Sequence, residues 1–503
     1  MEEASRATRA ALIPERPVSN ASGVEPRRLA INYLYLSAGE FTAKLLTFAT
    51  FSFLARVLGP LDYGFVEFTL AVMVFFSLPI DMGLSWYGAR EIARSPEKAS
   101  QLLHEITGLR VFLTVCSMLG LGIFILTLNK GVELKVLLGL YDVSLLAGPF
   151  MSQWFFQAHD QMHWVAIASI VRQTGFAVLV FLTCRRGTSL VYIGVIECAS
   201  VLAVAVYCIY VVRYEMRFDW PWPDLHLARL MGHLREAAPI GLNELAWASM
   251  WYFCTVLLGF LFLDWSLGWF GASHRVLMAL HTFVYLYFFN LLPSISRCVV
   301  LPKEKLLELM DRSVRFAAWA GLFTAGLGTA LAPELLTLIY GPYFRGASHS
   351  LMILVWMLPV AMLSGHHRYI LIAYNHQKRL LYCTALSAAA AVLLGFMLVP
   401  IYRGPGAAWA LLISNLINFG LVYFSVRQLV AEVPVHRQLM VPLFALAISM
   451  IFYLAVARWN LFIALTGGGA FYAAGLVCSD GRQLAEFLRT IARRSPASMP
   501  RQK

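Results

Sequence analysis

Apolar runs of about 20 residues recur from residue 30 to residue 478 of this chain, and no other feature narrows its fold as much. A hydrocarbon layer roughly 30 Å thick takes about 20 helical residues to cross, and only helices or closed barrels satisfy their backbone polar groups in lipid. Barrel strands alternate in segments of about ten residues, whereas these runs are continuous and about twice as long. The expected fold class is therefore an all-α polytopic membrane protein. The spans fall at 30–56, 64–85, 106–128, 134–156, 163–184, 189–212, 236–261, 267–292, 312–332, 348–374, 380–400, 405–427, 438–457 and 460–478, about fourteen in all. With 59% hydrophobic and 14% charged residues and a mean hydropathy of +0.67, the soluble classes are excluded.

A net charge of +12 is also seen in nucleic-acid binders, but the basic residues here alternate between loops. Roughly 27 of the 40 Lys and Arg residues fall in the two tails and the even-numbered loops, so both termini are expected on the cytoplasmic side and nucleic acid is not an expected partner. The eight cysteines show no CxxC and no ligand-like spacing, so neither a disulfide framework nor a metal site is expected. Nor is a cofactor. The first 26 residues are polar, without the apolar stretch of a signal peptide.

These features divide the chain into a disordered cytoplasmic tail (1–28), a first six-helix lobe (29–212) and a linker (213–235). A second lobe (236–430), two further helices (431–478) and a basic tail (479–503) follow. In the linker, Trp220 and Trp222 read as interfacial anchors, and Leu227, Leu230, Met231 and Leu234 recur at the spacing of an amphipathic surface helix. In the basic tail, Leu484, Phe487, Leu488 and Ile491 do the same beside Arg482, Arg489, Arg493 and Arg494. A weak repeat relates the lobes. Gly148 and Gln157 to Asp160 resemble Gly365 and Tyr374 to Gln377 at an offset of 217, and Asp62 to Gly64 resembles Trp269 to Gly271 at an offset of 207. Six spans per repeat give both halves the same topology.

The run Leu54, Ala55, Arg56, Val57, Leu58, Gly59, Pro60, Leu61, Asp62, Tyr63, Gly64, continuing to Asp81, Met82, Gly83, Leu84 and Arg90 to Ala93, resembles the opening of bacterial polysaccharide biosynthesis flippases, the O-antigen type included. So do Ala332 to Leu335 with Ile339 to Phe344, and Gly404 to Ala408. The resemblance implies the fold of the multidrug/oligosaccharidyl-lipid/polysaccharide exporter superfamily: two six-helix lobes in a V, as in MATE transporters, here with two extra C-terminal helices. It also implies a bacterial inner membrane, an undecaprenyl-pyrophosphate-linked glycan as cargo, membrane lipids as partners, and polymerase or assembly enzymes as further candidate partners. The motif glycines and prolines themselves read as turn-forming.

An ionised side chain at the bilayer centre costs about 2.5–3.5 kcal/mol even on the lenient scale, so each needs a partner or a wet cavity. Arg172 lies mid-span and reads either as a cargo contact or as half of an ion pair. The same choice holds for Arg275, with His274 and His281 near it. Arg368 follows His366 and His367 near a span end, and Glu40 and Lys44 are placed to neutralise each other at i, i+4. Glu67, Asp142, Glu197 and Glu244 are either partners for these cations or ion-coupling carboxylates. Arg90, Glu91 and Arg110 lie at span ends and read as topological. Arg offers planar bidentate recognition of phosphate oxygens, which suits a pyrophosphate headgroup. Arg172 and Arg275 are accordingly expected to face one central cavity, bridged by an anion. Trp247, Trp251, Tyr285 and Tyr287 either stack on sugars or pack between helices.

Two other function classes remain in view. A MATE-like ion-coupled exporter of small amphipathic cations calls for a carboxylate-dominated cavity, against which Arg172, Arg275, Lys44 and Arg368 weigh. A membrane polymerase or glycosyltransferase calls for a substantial outer loop, and the loops here are short. The P-loop pattern for ATP is missing from the sequence.

Overall fold

Where glycine precedes proline, the long helices break. The computed structural model describes residues 26–219, 222–224 and 226–493, and for 26–38, 40, 227–228, 480 and 482–493 it describes the backbone alone. The helices are α1 (Pro26–Asp81), α2 (Leu84–Arg94), α3 (Ala99–Thr127), α4 (Val132–Ser144), α5 (Gln153–Ala158), α6 (Met162–Thr183), α7 (Leu190–Tyr210) and α8 (Leu227–Leu261). They continue as α9 (Trp265–Cys298), α10 (Lys303–Tyr340), α11 (Ser348–Leu354), α12 (Met357–Ala373), α13 (Gln377–Leu429), α14 (Val435–Val456) and α15 (Leu461–Arg493). No strand occurs among the described residues.

Among these residues, twelve helical segments are long and apolar enough to cross a membrane. Two are far too long for one crossing. The 56 residues of α1 would span about 84 Å at 1.5 Å each, and non-helical backbone at Gly59 (φ 76°, ψ 174°) divides them. The 53 residues of α13 are divided at Arg403 (φ 53°, ψ −126°). The expected count of fourteen is reached if each of these two supplies two crossings. Gly59 and Gly341 (φ 97°, ψ 171°) share a conformation open to glycine alone, and each is followed by proline. Arg403 takes a positive φ without being glycine. Its guanidinium is held by Asp264 at 2.8 Å and lies 5.0 Å from the Phe262 ring centre.

The end of the molecule bearing Gly59, Gly341 and Arg403 is called outer, and the opposite end, with residues 83–98, 213–219 and 299–302, inner. In the outer half, one apolar core runs through both lobes: Phe51, Leu54, Tyr63, Leu137, Phe270, Tyr340, Phe344 and Leu411 belong to the same cluster. In the inner half the core splits. Leu84, Leu103, Phe155 and Val212 form one cluster in the first lobe, and Ile295, Met310, Ile370 and Val426 form another in the second. The lobes thus converge outside and part inside, as a V requires. Helices α14 and α15 pair with each other and dock on α10, where the Tyr472 hydroxyl donates to the Trp319 carbonyl at 2.8 Å.

The repeat survives with a corrected register. Asp160 (φ 56°) and Asn375 (φ 60°) both end their helices in the left-handed conformation. Each is followed by the same return bond, Gln161 N to Phe156 O at 2.9 Å and His376 N to Leu371 O at 2.8 Å. The two motifs are 215 residues apart, two fewer than side-chain similarity gave.

The linker differs from the expected separate surface helix. Residues 227–235 continue without interruption into α8, because no Gly-Pro break separates them from the span, and Leu230, Leu234 and Ala237 pack in the first lobe's inner core. Trp220 lies outside the described residues. Helix α1 already begins at Pro26, inside the expected tail, and α15 runs to Arg493; the side chains of Leu484, Phe487, Leu488 and Ile491 lie outside the described residues.

Candidate functional site

Small residues bring the lobes together on the outer side. A Cβ on Gly268 would lie 1.8 Å from the Pro60 carbonyl oxygen, and one on Gly64 would lie 2.9 Å from the Gly268 nitrogen, so α1 and α9 touch through their backbones. One turn further in, a Cβ on Gly271 would lie 2.5 Å from Glu67 Cγ. Around this contact Tyr63 packs on Tyr340 and Phe344 across the lobes, at 6.4 and 5.9 Å between ring centres. Arg56 donates to the carbonyls of Ile339 (2.7 Å) and Leu338 in the last turn of α10, where the helix dipole favours a cation. Two of the runs that carry the resemblance therefore meet here, Leu54 to Gly64 against Ile339 to Phe344. Reading them only as turns missed this, since nothing in either run announces the other.

Just inside the backbone contact, Arg275 of the second lobe reaches into the first. Its Nη2 and Nε lie 2.6 and 2.7 Å from Glu67 Oε1, its Nε 3.1 Å from the Tyr63 hydroxyl, and its guanidinium 3.5 Å from the Phe51 ring centre. Arg172, in contrast, pairs within the first lobe, its Nη2 2.8 Å from Glu197 Oε1. The expected bridging of both arginines by one anion does not describe this arrangement, because each cation is already neutralised by its own carboxylate. The buried Tyr141 hydroxyl lies within electrostatic reach of both pairs.

The remaining candidates are different. Arg368 is half-buried on α12 and forms no ion pair among the described residues; Glu244 on α8 and His281 on α9 lie within its electrostatic reach. His281 stands edge-on to Trp251, with ring centres 5.1 Å apart. Lys44 is exposed and likewise has no ion-pair partner among the described residues; the Glu40 side chain lies outside them. Asp142 is half-buried, with Oδ1 sequestered and without a hydrogen-bond partner among the described residues. His366 and His367 are structural, each bonded through Nδ1 to the carbonyl four residues earlier, at 2.7 and 2.9 Å. Trp251 and Tyr287 pack between helices, whereas Tyr285 is exposed.

At the inner end, residues that the sequence did not single out fasten α8 to the first lobe. His233 bridges the Tyr87 hydroxyl (Nδ1, 2.9 Å) and buried Glu105 (Nε2, 2.8 Å), which also receives Gln101 at 2.9 Å. Nearby, the backbone of Gly241 presses on Met82 and Gly83. Arg110, expected as topological, is buried and bound to Asp81 and Ser85.

The sequence profile described as "Polysaccharide biosynthesis protein" matches residues 29–299, more than half of the chain. The chain belongs to this family. Similar curated relatives are the "Putative O-antigen transporter" of Escherichia coli (strain K12), 22% identical over 79% of this chain and 96% of the relative, and that of Shigella dysenteriae, 23% identical over 74% and 92%. Among solved structures, "Lipid II flippase MurJ, inward closed conformation" superposes with a TM-score of 0.72 at 14% identity, over 90% of this chain and all of that one. An inward-facing multidrug resistance MATE family transporter of the MOP superfamily gives 0.61 at 14% identity, over 77% and 96%. At such identity the likeness concerns the fold, and the fold of this family member is that of a multi-pass membrane transporter architecture.

Proposed function

We propose that this polysaccharide biosynthesis protein is a flippase. It takes a polyprenyl-pyrophosphate-linked oligosaccharide, such as an O-antigen or other surface polysaccharide repeat unit, from the cytoplasmic to the periplasmic leaflet of a bacterial inner membrane by alternating access. The inner end is cytoplasmic and carries both termini, in keeping with the basic loops there. The observation that carries the reading is Arg368: a half-buried cation between helices of the second lobe, near His281, with no carboxylate in ion-pair contact among the described residues. Such a cation is costly in lipid unless an anion or water meets it. The names of the curated relatives agree with that cargo class.

The test is a conditional depletion strain. Lipid-linked oligosaccharide should accumulate on the cytoplasmic leaflet, and Arg368→Ala should fail to relieve it at normal protein abundance while Arg368→Lys relieves it in part. Full rescue by Arg368→Ala would remove the arginine from the mechanism. A second reading, an ion-coupled exporter of small amphipathic molecules, draws on Asp142, whose Oδ1 has no hydrogen-bond partner among the described residues. It requires that drug resistance, and not glycan accumulation, respond to depletion.

A further inference from the structure

The Glu67 and Arg275 pair joins the two lobes at the inner edge of the outer closure, and its geometry is unusual for a pair meant only to hold. Both guanidinium nitrogens, Nη2 at 2.6 Å and Nε at 2.7 Å, converge on one carboxylate oxygen, Oε1. The parallel two-oxygen fork that makes arginine contacts with carboxylate and phosphate strong is not formed. Gly271 makes the room that Glu67 occupies, since a Cβ there would lie 2.5 Å from Glu67 Cγ. Arg275 is further retained by the Tyr63 hydroxyl and the Phe51 ring, so every group that binds it belongs to the first lobe. Tyr252 and Tyr340 also lie within electrostatic reach of the pair, and Tyr141 lies within reach of both this pair and that of Arg172. His281 lies six residues, or about 9 Å, further inward along α9 than Arg275, in the direction of Arg368.

We propose that Glu67 is a resident competitor for the cargo's anion: it occupies Arg275 in the empty protein, and only a group that takes its place on Arg275 releases the lobes at the outer side. This rests on the flippase reading and adds a specificity element to it. A pyrophosphate presents two oxygens to the fork and carries more charge than one carboxylate, so it outcompetes Glu67. A neutral amphiphile cannot. The closure is thereby tied to the charge of the cargo, and a protein without cargo stays shut.

Farnesyl pyrophosphate and farnesol serve as charged and neutral probes for the full chain in lipid nanodiscs. Closure is read by maleimide labelling at Ser52→Cys, mapped by mass spectrometry; Ser52 is buried one turn inside Arg56. With Glu67 intact, the pyrophosphate should raise labelling at position 52 and farnesol should not. Glu67→Gln, which keeps the shape and removes the charge, should bind farnesyl pyrophosphate about tenfold more tightly and label at position 52 without any probe. Glu67→Asp, which keeps the charge on a shorter stem, should fall between the two. Binding by both proteins with equal affinity, or labelling raised equally by farnesol, overturns the competition while leaving the flippase reading in place. Binding by neither, with no lipid-linked intermediate accumulating on depletion, removes the flippase reading and this inference together.

Discussion

At the outer end the lobes meet through glycine backbones, aromatic rings, one ion pair and the hydrogen bonds of Arg56, whereas at the inner end α8 is tied to the first lobe by a chain of polar side chains running from Tyr87 through His233 to Glu105. The outer contact is buried at its rings, and its partners belong to different lobes. The inner contact lets a helix that leads into the second lobe remain rooted in the first. A backbone contact through glycine has no rotamers to reorder when it separates, so it can open and reclose. A relay of directed hydrogen bonds loses each bond it gives up, at about 0.5–1.5 kcal/mol net apiece. The difference suggests which contact opens during transport and which acts as the pivot.

Four substitutions probe that division. Glu67→Ala leaves Arg275 buried without a counter-charge, and breaking such a pair costs about 3–5 kcal/mol, so purified protein should show the largest fall in Tm of the set, partly restored by pyrophosphate. An unchanged Tm would mean that Arg275 is solvated where it stands. Gly268→Val places a methyl-bearing carbon against the Pro60 carbonyl, with an overpacking cost of about 1–3 kcal/mol. It should raise labelling at Ser52→Cys without ligand, and no change would show that the closure can shift around the added bulk. Glu105→Ala strips the inner relay of its acceptor, for about 1–3 kcal/mol. Hydrogen exchange should then rise over residues 227–241 but not around residue 268; a rise at both ends would merge the two regions into one cooperative unit. Tyr87→Phe removes a single hydrogen bond, about 1 kcal/mol, and should produce the same local pattern more weakly. An effect as large as that of Glu105→Ala would mean that Tyr87 orders the whole relay.

The positions of the spans were legible because a 20-residue apolar run is a local signal, and the breaks at Gly59 and Arg403 fall between expected spans. The cost of lone charges left Glu67 and Glu197 either as partners for the arginines or as ion-coupling carboxylates, and the structure pairs both with arginines. Which carboxylate serves which arginine did not, since Glu67 and Arg275 are 208 residues apart and no periodicity links them. Arg56 was hidden for the same reason, its acceptors being backbone carbonyls that any residue supplies. The repeat was misplaced by two residues because His159 and His376 look alike, whereas the conformation is fixed by Asp160 and Asn375, residue types that tolerate the left-handed region. Nothing local in the sequence marks His233, because its importance comes from a bond to Glu105 on a helix more than 100 residues earlier.

The outer connections leave almost nothing projecting. Single residues at Gly59 and Arg403 divide long helices, residue 341 alone separates α10 from the turn that follows, and residues 262–264 suffice between α8 and α9. In the proposed orientation this is the periplasmic face, and it offers no arm or platform for an enzyme to grip. If the flippase reading holds, an assembly enzyme that consumes the cargo there would approach through the plane of the bilayer, against the apolar flanks, or collect its substrate after it has diffused away among the lipids. Delivery would then become a matter of two-dimensional traffic, with the rate of polymerisation following the crowding and fluidity of the outer leaflet.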